Sequence, residues 1–125
     1  NSKQFMKKKN RYCFDIDGVI AEIQKKEPVK SYTMSKPNKK IIKLINQLKK
    51  SGNYIILYTA RRMRSCNSNY GKVINKTGLE TMSWLKKNRV NFDEIYFGKP
   101  WADVYIDDKA IRFENFDDLI KKLNY

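Results

Sequence analysis

Arg11-Tyr12-Cys13-Phe14-Asp15-Ile16-Asp17-Gly18 is the stretch on which the fold turns. Arg11 to Ile16 is apolar enough for a buried strand, and the run ends in an acidic loop with a glycine. Two later runs are built the same way. Tyr54-Ile55-Ile56-Leu57-Tyr58 leads into Thr59-Ala60-Arg61, and Glu94-Ile95-Tyr96-Phe97 leads into Gly98-Lys99-Pro100. A further run, Val104-Tyr105-Ile106, leads into Asp107-Asp108. Each reads as a short strand, and the continuous run at 54–58 is expected of one covered on both faces.

Helical patterns separate these strands. Asn38 can cap a helix whose stripe is Ile41, Ile42, Ile45 and Leu48, with Gly52 as its stop. A second helix is expected near 77–88, with Leu79, Met82 and Leu85 roughly on one face. The third, capped by Asn115, has Phe116, Leu119, Ile120 and Leu123 as its stripe. Asp117 and Asp118 in its first turn and Lys121 and Lys122 in its last match the helix dipole. Residues 18–37, with Pro28 and Pro37, lack clear periodicity and read as an irregular or hairpin excursion, and residues 61–76 as a polar loop or broken helix. The alternation predicts one three-layer, Rossmann-like α/β domain over residues 1–125: a central parallel sheet, right-handed crossovers, helices on both faces and no large cap domain. Ligands of such sheets bind at the carboxyl ends of the strands, where all four segments place their polar residues.

A length of 125 residues suits one domain, and 41% hydrophobic with 13% aromatic residues are globular values. No apolar run approaches the roughly 20 residues of a membrane span, and no signal-peptide pattern opens the chain. Residues 1–5, ahead of Met6, read as a tag remnant or a disordered end and carry no fold argument. Cys13 and Cys66 have neither metal nor disulfide spacing, so reduced thiols in a cytoplasmic setting are expected. The net charge of +14 admits a nucleic-acid partner. It also admits a bland account, since most of the 27 basic residues are lysines, and Lys, Asn and Ile share AT-rich codons. On either account a positive field attracts anions such as phosphate esters.

Asp15 and Asp17, two apart at a strand end, suit magnesium, which takes oxygen ligands. One carboxylate can attack phosphorus while a second protonates the leaving alcohol and then activates water. Gly18 allows a sharp turn beside the substrate. Thr59 can hold a phosphoryl oxygen or merely cap the following turn. Lys99, in a turn constrained by Gly98 and Pro100, can neutralise charge on nucleophile and phosphate, although 27 basic residues make any one of them ordinary surface by default. Asp107 and Asp108 beyond an apolar strand call for a cation or water, unless one of them caps a helix. Trp101 can stack on a sugar or base, with buried packing the commoner use. The chain has no His, which excludes His-based acid–base or nucleophilic schemes.

In order, spacing and strand context the four segments resemble the haloacid dehalogenase-like hydrolase superfamily. That resemblance implies Asp15 as nucleophile, Asp17 as general acid/base, Thr59 as phosphate ligand and Lys99 as charge stabiliser. It implies Mg²⁺ held by Asp15, Asp17 (through its main-chain carbonyl), Asp107 and Asp108, with Asp107 favoured as the direct ligand of the last pair. Arg62-Met63-Arg64 with Gly71-Lys72, Phe97 to Trp101, and Asp107 to Arg112 are similar to the small capsule-biosynthesis phosphatases of that superfamily. Thr59, Ala60, Arg61, Arg62, Arg64, Asn69 and Lys72 are then the candidates for substrate recognition, guanidinium groups being bidentate partners of phosphate. The alternative for these residues is an ordinary solvated basic loop.

The reading that follows is a cytoplasmic, Mg²⁺-dependent phosphatase of a small phosphorylated metabolite, such as a sugar phosphate of surface-polysaccharide synthesis. A nucleotide or nucleic-acid end is the alternative substrate, and a non-catalytic binding module of the same fold is the alternative function. A capless site is open, which suits a large substrate or closure by a second subunit.

Overall fold

The computed structural model describes residues 9–25, 29 and 31–125. The expected tag remnant at 1–5 and Pro28 of the excursion lie outside them. Three strands, β1 (Arg11–Asp15), β2 (Tyr54–Thr59) and β3 (Glu94–Phe97), form a parallel sheet in that order. Tyr12, Phe14 and Asp15 stand in register with Ile55, Leu57 and Tyr58, and Leu57 and Thr59 with Ile95 and Phe97. Three helices accompany them: α1 (Lys39–Lys50), α2 (Tyr70–Lys87) and α3 (Phe116–Leu123). This is the capless Rossmann-like α/β arrangement expected from the alternation of elements.

Coverage of the sheet is unequal. Phe14, Ile55 and Leu57 belong to one apolar core with Ile41, Leu44, Ile45 and Leu48 of α1, Trp84 and Leu85 of α2, and Leu119 of α3. Burying these side chains contributes roughly 1.5–3 kcal/mol each relative to leaving them exposed. Residues of opposite parity face the other way, and Arg11 and Cys13 there are exposed while Tyr54, Ile56 and Tyr58 are half-buried. Thus β2 alternates, fully buried on one face only.

Local capping runs as expected. Asn38 Oδ1 accepts from the Ile41 N–H and Asn115 Oδ1 from the Asp118 N–H, each satisfying an amide that the first helical turn leaves free. Two expectations fail. Helix α2 begins seven residues before the expected 77, capped by Asn69, and buries Val73, Thr77, Thr81, Trp84 and Leu85. Leu79 is 81% exposed and Met82 42% exposed. Buried threonines displace that stripe because their hydroxyls are satisfied, Thr77 by the Val73 carbonyl and Thr81 by Arg61.

The fourth strand is absent among the described residues: no regular structure occupies 98–115, and Val104 and Ile106 are 72% and 95% exposed. Tyr105 shows why. Its hydroxyl donates to the Pro100 carbonyl and accepts from the Ala102 N–H, so the segment folds back on itself instead of extending. Both β1 and β3 are consequently edge strands.

The excursion after β1 is held by local turns and by contacts to α2. The Ile16 carbonyl accepts from the amides of Val19, Ile20 and Ala21, Gly18 takes φ +91°, and Ile16 and Ile20 are buried. Farther along, Ser31 caps a single 3₁₀ turn at Tyr32–Met34, and the Trp84 indole N–H donates to the Ser35 carbonyl at 2.7 Å.

Candidate active site

Three of the four sequence segments converge at the carboxyl edge of the sheet. Asp15 ends β1, its Oδ1 accepting from the Ile16 N–H at 2.9 Å and its Oδ2 lying 3.2 Å from Lys99 Nζ. Lys99 is brought there by the turn after β3. Gly98 takes φ +87°, and the Lys99 amide donates to the Thr59 carbonyl at the end of β2 at 3.1 Å. Gly98 must also stay small, because a Cβ there would sit 2.8 Å from the Tyr70 ring. The Lys99 ammonium lies over the Tyr105 ring at 4.3 Å and near Tyr58 at 5.9 Å, which leaves it few places to go.

Burial pushes the Asp15 carboxyl above the ordinary 3.8, an effect opposed by the charge and hydrogen bond of Lys99 and by the Ile16 amide, and reinforced by Asp17. Asp15 is thus a partly desolvated carboxyl paired with one cation.

Asp17 is held differently. Its two oxygens accept from Arg61 Nε and Nη2, each at 2.9 Å, in a bidentate fork. Arg61 is only 3% exposed, and its Nη1 donates to Thr81 Oγ1 at 3.0 Å. Arg61, expected among the residues that grip substrate, is thus bonded within the protein to Asp17 and Thr81 through three of its five N–H groups. Thr59, also buried, accepts the Arg61 amide on its hydroxyl at 3.1 Å, the turn-capping use weighed for it, and it keeps its own O–H to donate.

The remaining recognition candidates line the loop after Ala60, which Met63 and Cys66 anchor in a small apolar cluster with Val73. Arg62, Asn67 and Ser68 all have left-handed backbone there. Arg62 donates to the Lys76 carbonyl at 2.8 Å, and Asn69 Oδ1 accepts from the Lys72 N–H as the α2 cap, so neither side chain is primarily a free ligand. Arg64 stacks over the Trp101 ring at 4.8 Å. Trp101 is half exposed, against the buried packing expected of it. Arg64 and Trp101 thus offer a cation and a ring face.

Asp107 and Asp108 do not join Asp15 and Asp17. Both are exposed, and Asp107 Oδ1 accepts from the Lys109 amide at 2.7 Å in a local turn. Among the described residues no group of three acids or thiols is close enough to hold a metal. Favouring Asp107 as direct ligand relied on a strand end that this arrangement lacks. Both cysteines are free thiols, Cys13 exposed and Cys66 buried. Missed in the sequence altogether was Tyr32, whose ring stacks on Arg61 and Arg62, because nothing in an aperiodic excursion marks one aromatic residue over another.

With this geometry in hand, similarity to known proteins has a clear meaning. Residues 9–124 match the family described as the polynucleotide kinase PNKP phosphatase domain. A solved structure of a structural-genomics target from Vibrio cholerae superposes with a TM-score of 0.74 at 28% identity, over 92% of this chain and 97% of that one. No curated protein matches the sequence. No helix among the described residues is long and apolar enough to cross a membrane. The converging acids, the lysine turn and the family match together place this chain in the haloacid dehalogenase-like superfamily, in the family of the PNKP phosphatase domain, as a phosphomonoester hydrolase.

Proposed function

We propose that the chain, acting as one domain, hydrolyses a phosphate monoester through a phosphoryl-aspartate on Asp15. The observation that carries this is Asp15 Oδ2 at 3.2 Å from Lys99 Nζ, a raised carboxyl whose charge is only partly met. Asp15 attacks phosphorus as the ester P–O bond breaks, and Asp17 gives its proton to the departing alkoxide. Asp17 then takes a proton from the water that attacks the phosphoryl-aspartate, releasing phosphate and restoring Asp15. Thr59 donates its hydroxyl to a phosphoryl oxygen, the main chain at Ala60 lines the same turn, and Lys99 offsets negative charge as it accumulates. Of the candidates on the loop and α2, the exposed Arg64 and Lys72 are the ones we assign to the rest of the substrate, Arg62 and Asn69 being bonded within the protein.

Phosphatases of this superfamily generally use Mg²⁺. The Asp15 carboxylate and the Asp17 carbonyl are hard oxygen donors of the kind it takes, while Asp107 and Asp108, further ligands by the resemblance, stand apart from them here. When bound, the ion would neutralise charge on the phosphoryl group.

For the substrate, the family's description favours the phosphorylated end of a polynucleotide, and the +14 charge and the half-exposed Trp101 beside Arg64 support it. The resemblance of the 62–72 and 97–112 segments to capsule-biosynthesis phosphatases supports a sugar phosphate instead. An open, capless site suits a large substrate, and closure by a second copy is the other way to shield it. Hydrolysis of an aryl phosphate with and without Mg²⁺ tests the chemistry. We expect turnover that Asp15→Asn lowers about 10³-fold or more. Retained turnover in that variant refutes Asp15 as nucleophile. Comparing an end-phosphorylated oligonucleotide with hexose phosphates over a salt series separates the substrates, since only the former loses affinity steeply with salt.

A further inference from the structure

Arg61 reaches Asp17 from a different element, and the fork that joins them works only if the guanidinium plane is fixed. Its edges are taken by Asp17 from the β1 loop and by Thr81 from α2. Its face is covered by Tyr32, with the guanidinium carbon 4.3 Å from the ring centroid. Face stacking and in-plane hydrogen bonding do not compete, which an aliphatic side chain or a carboxylate at position 32 could not achieve.

Tyr32 is itself held at more than one point. Its main-chain N–H donates to Glu80 Oε2 at 3.0 Å, and Glu80 also faces Arg62 Nη1 at 3.5 Å. Arg62 stands over the same ring at 5.0 Å. Three residues on, the Ser35 carbonyl is bonded to Trp84. The turn at 32–34 is thereby fastened to α2, and its aromatic ring forms one wall of the Arg61 slot.

We propose that Tyr32 is a positioning residue: by fixing the plane of Arg61 it sets the direction of the Asp17 carboxylate. The inference rests on the phosphatase reading, in which Asp17 exchanges a proton with the substrate oxygen and then with water. Proton transfer demands heavy-atom placement within hydrogen-bond reach, and a misplacement of about 1 Å costs on the order of 10²-fold. Tyr32 does not touch the phosphate, so its loss acts on turnover and not on substrate binding.

The experiment pairs kinetics with side-chain NMR of Arg61 Nε–H in the full chain, a readout independent of activity. In wild type Asp17 should protect that proton from exchange, and Asp17→Ala, which removes the acceptor and assigns the signal, should expose it. Tyr32→Leu should lose the protection and lower kcat about 10- to 100-fold with KM within about twofold. Tyr32→Phe, which keeps the ring face, should restore the protection and most of the turnover. Met34→Ala, an exposed neighbour on the same turn, should change neither. Thr81→Val opens the other side of the slot and should repeat the Tyr32→Leu signature, which keeps the test decisive if the leucine variant does not fold. A folded Tyr32→Leu protein with intact kcat, with protected Arg61, or with the loss confined to KM overturns the proposal. A wild type with protected Arg61 but no turnover on any phosphate ester overturns the phosphatase reading itself, and any positioning role for catalysis with it.

Discussion

At the end of the sheet where the strands begin, Asp93 accepts from the Ile55 amide at 2.8 Å and from Lys49 at 2.6 Å, and these bonds hold its carboxyl below the ordinary range. At the end where the strands finish, Asp15 has one amide and one lysine as well, yet burial pushes its carboxyl up. Around Asp93 the neighbouring polar groups are also satisfied. Asn53, buried, bonds the Asn10 amide and the Leu48 carbonyl, and Glu94 accepts from the Tyr54 and Tyr96 hydroxyls. Left-handed residues occur at both edges, Gly18, Arg62 and Gly98 at the finishing one and Gly52 and Arg89 at the starting one, so backbone strain does not distinguish them. Two residues of one type, on one sheet, are thus tuned in opposite directions. In the proposed reading the finishing edge is the one whose carboxylate does chemistry.

The largest effect that can break this contrast is at Lys99. Lys99→Ala removes the charge that opposes burial at Asp15, so the acid limb of the pH–rate profile should move to higher pH and kcat should fall about 10²- to 10³-fold. Thermal melting should hardly change, and a melting point that collapses would make Lys99 part of the structural edge instead.

Next in size is Asn53→Ala, which takes the side-chain acceptor from the half-buried Asn10 amide and one of two donors from the Leu48 carbonyl. It should lower unfolding free energy by about 1–3 kcal/mol in urea titrations, with activity per folded molecule unchanged. Lost activity at full occupancy of the folded state would mean the two edges are coupled.

The smallest effect is in pH dependence, measured on metal-free protein. The folded-state carboxyl of Asp93 is lowered, so its stabilisation is present above the ordinary 3.8 and disappears as pH falls through the folded value. Asp93→Asn should therefore destabilise at neutral pH and make no difference in acid. The folded-state carboxyl of Asp15 is raised, so the native state loses stability as pH climbs from 3.8 through the folded value. Asp15→Asn should therefore stabilise at neutral pH and not in acid. Parallel pH curves for the two variants would erase the distinction.

The caps of α1 and α3 were legible in the chain itself, whereas the Asn69 cap of α2 was not. Asn38 and Asn115 cap through contacts three residues away, and the strand-then-acid pattern at Phe14–Gly18 needs only its own residues. Two segments show where local reading stops. Val104-Tyr105-Ile106 has strand composition, but an apolar tripeptide pairs only if an edge competes successfully with the contacts its tyrosine makes to Pro100 and Ala102. In α2, Leu79 carries the hydrophobicity while Thr77 and Thr81 are buried, because Arg61, twenty residues from Thr81, supplies the partner that makes a buried hydroxyl tolerable.

By itself the sequence determined three of the strands, the caps of α1 and α3, the superfamily and the set of chemically capable residues, since these depend on patterns within short segments and on the order of those segments. The tertiary structure alone decided that Arg61 is bonded to Asp17 and Thr81, that Tyr32 walls the slot, and that Asp107 and Asp108 stand apart from Asp15. Those outcomes depend on which side chains from distant segments reach the same few ångströms, and a guanidinium with fixed in-plane donors is committed by whichever carboxylate and hydroxyl arrive there.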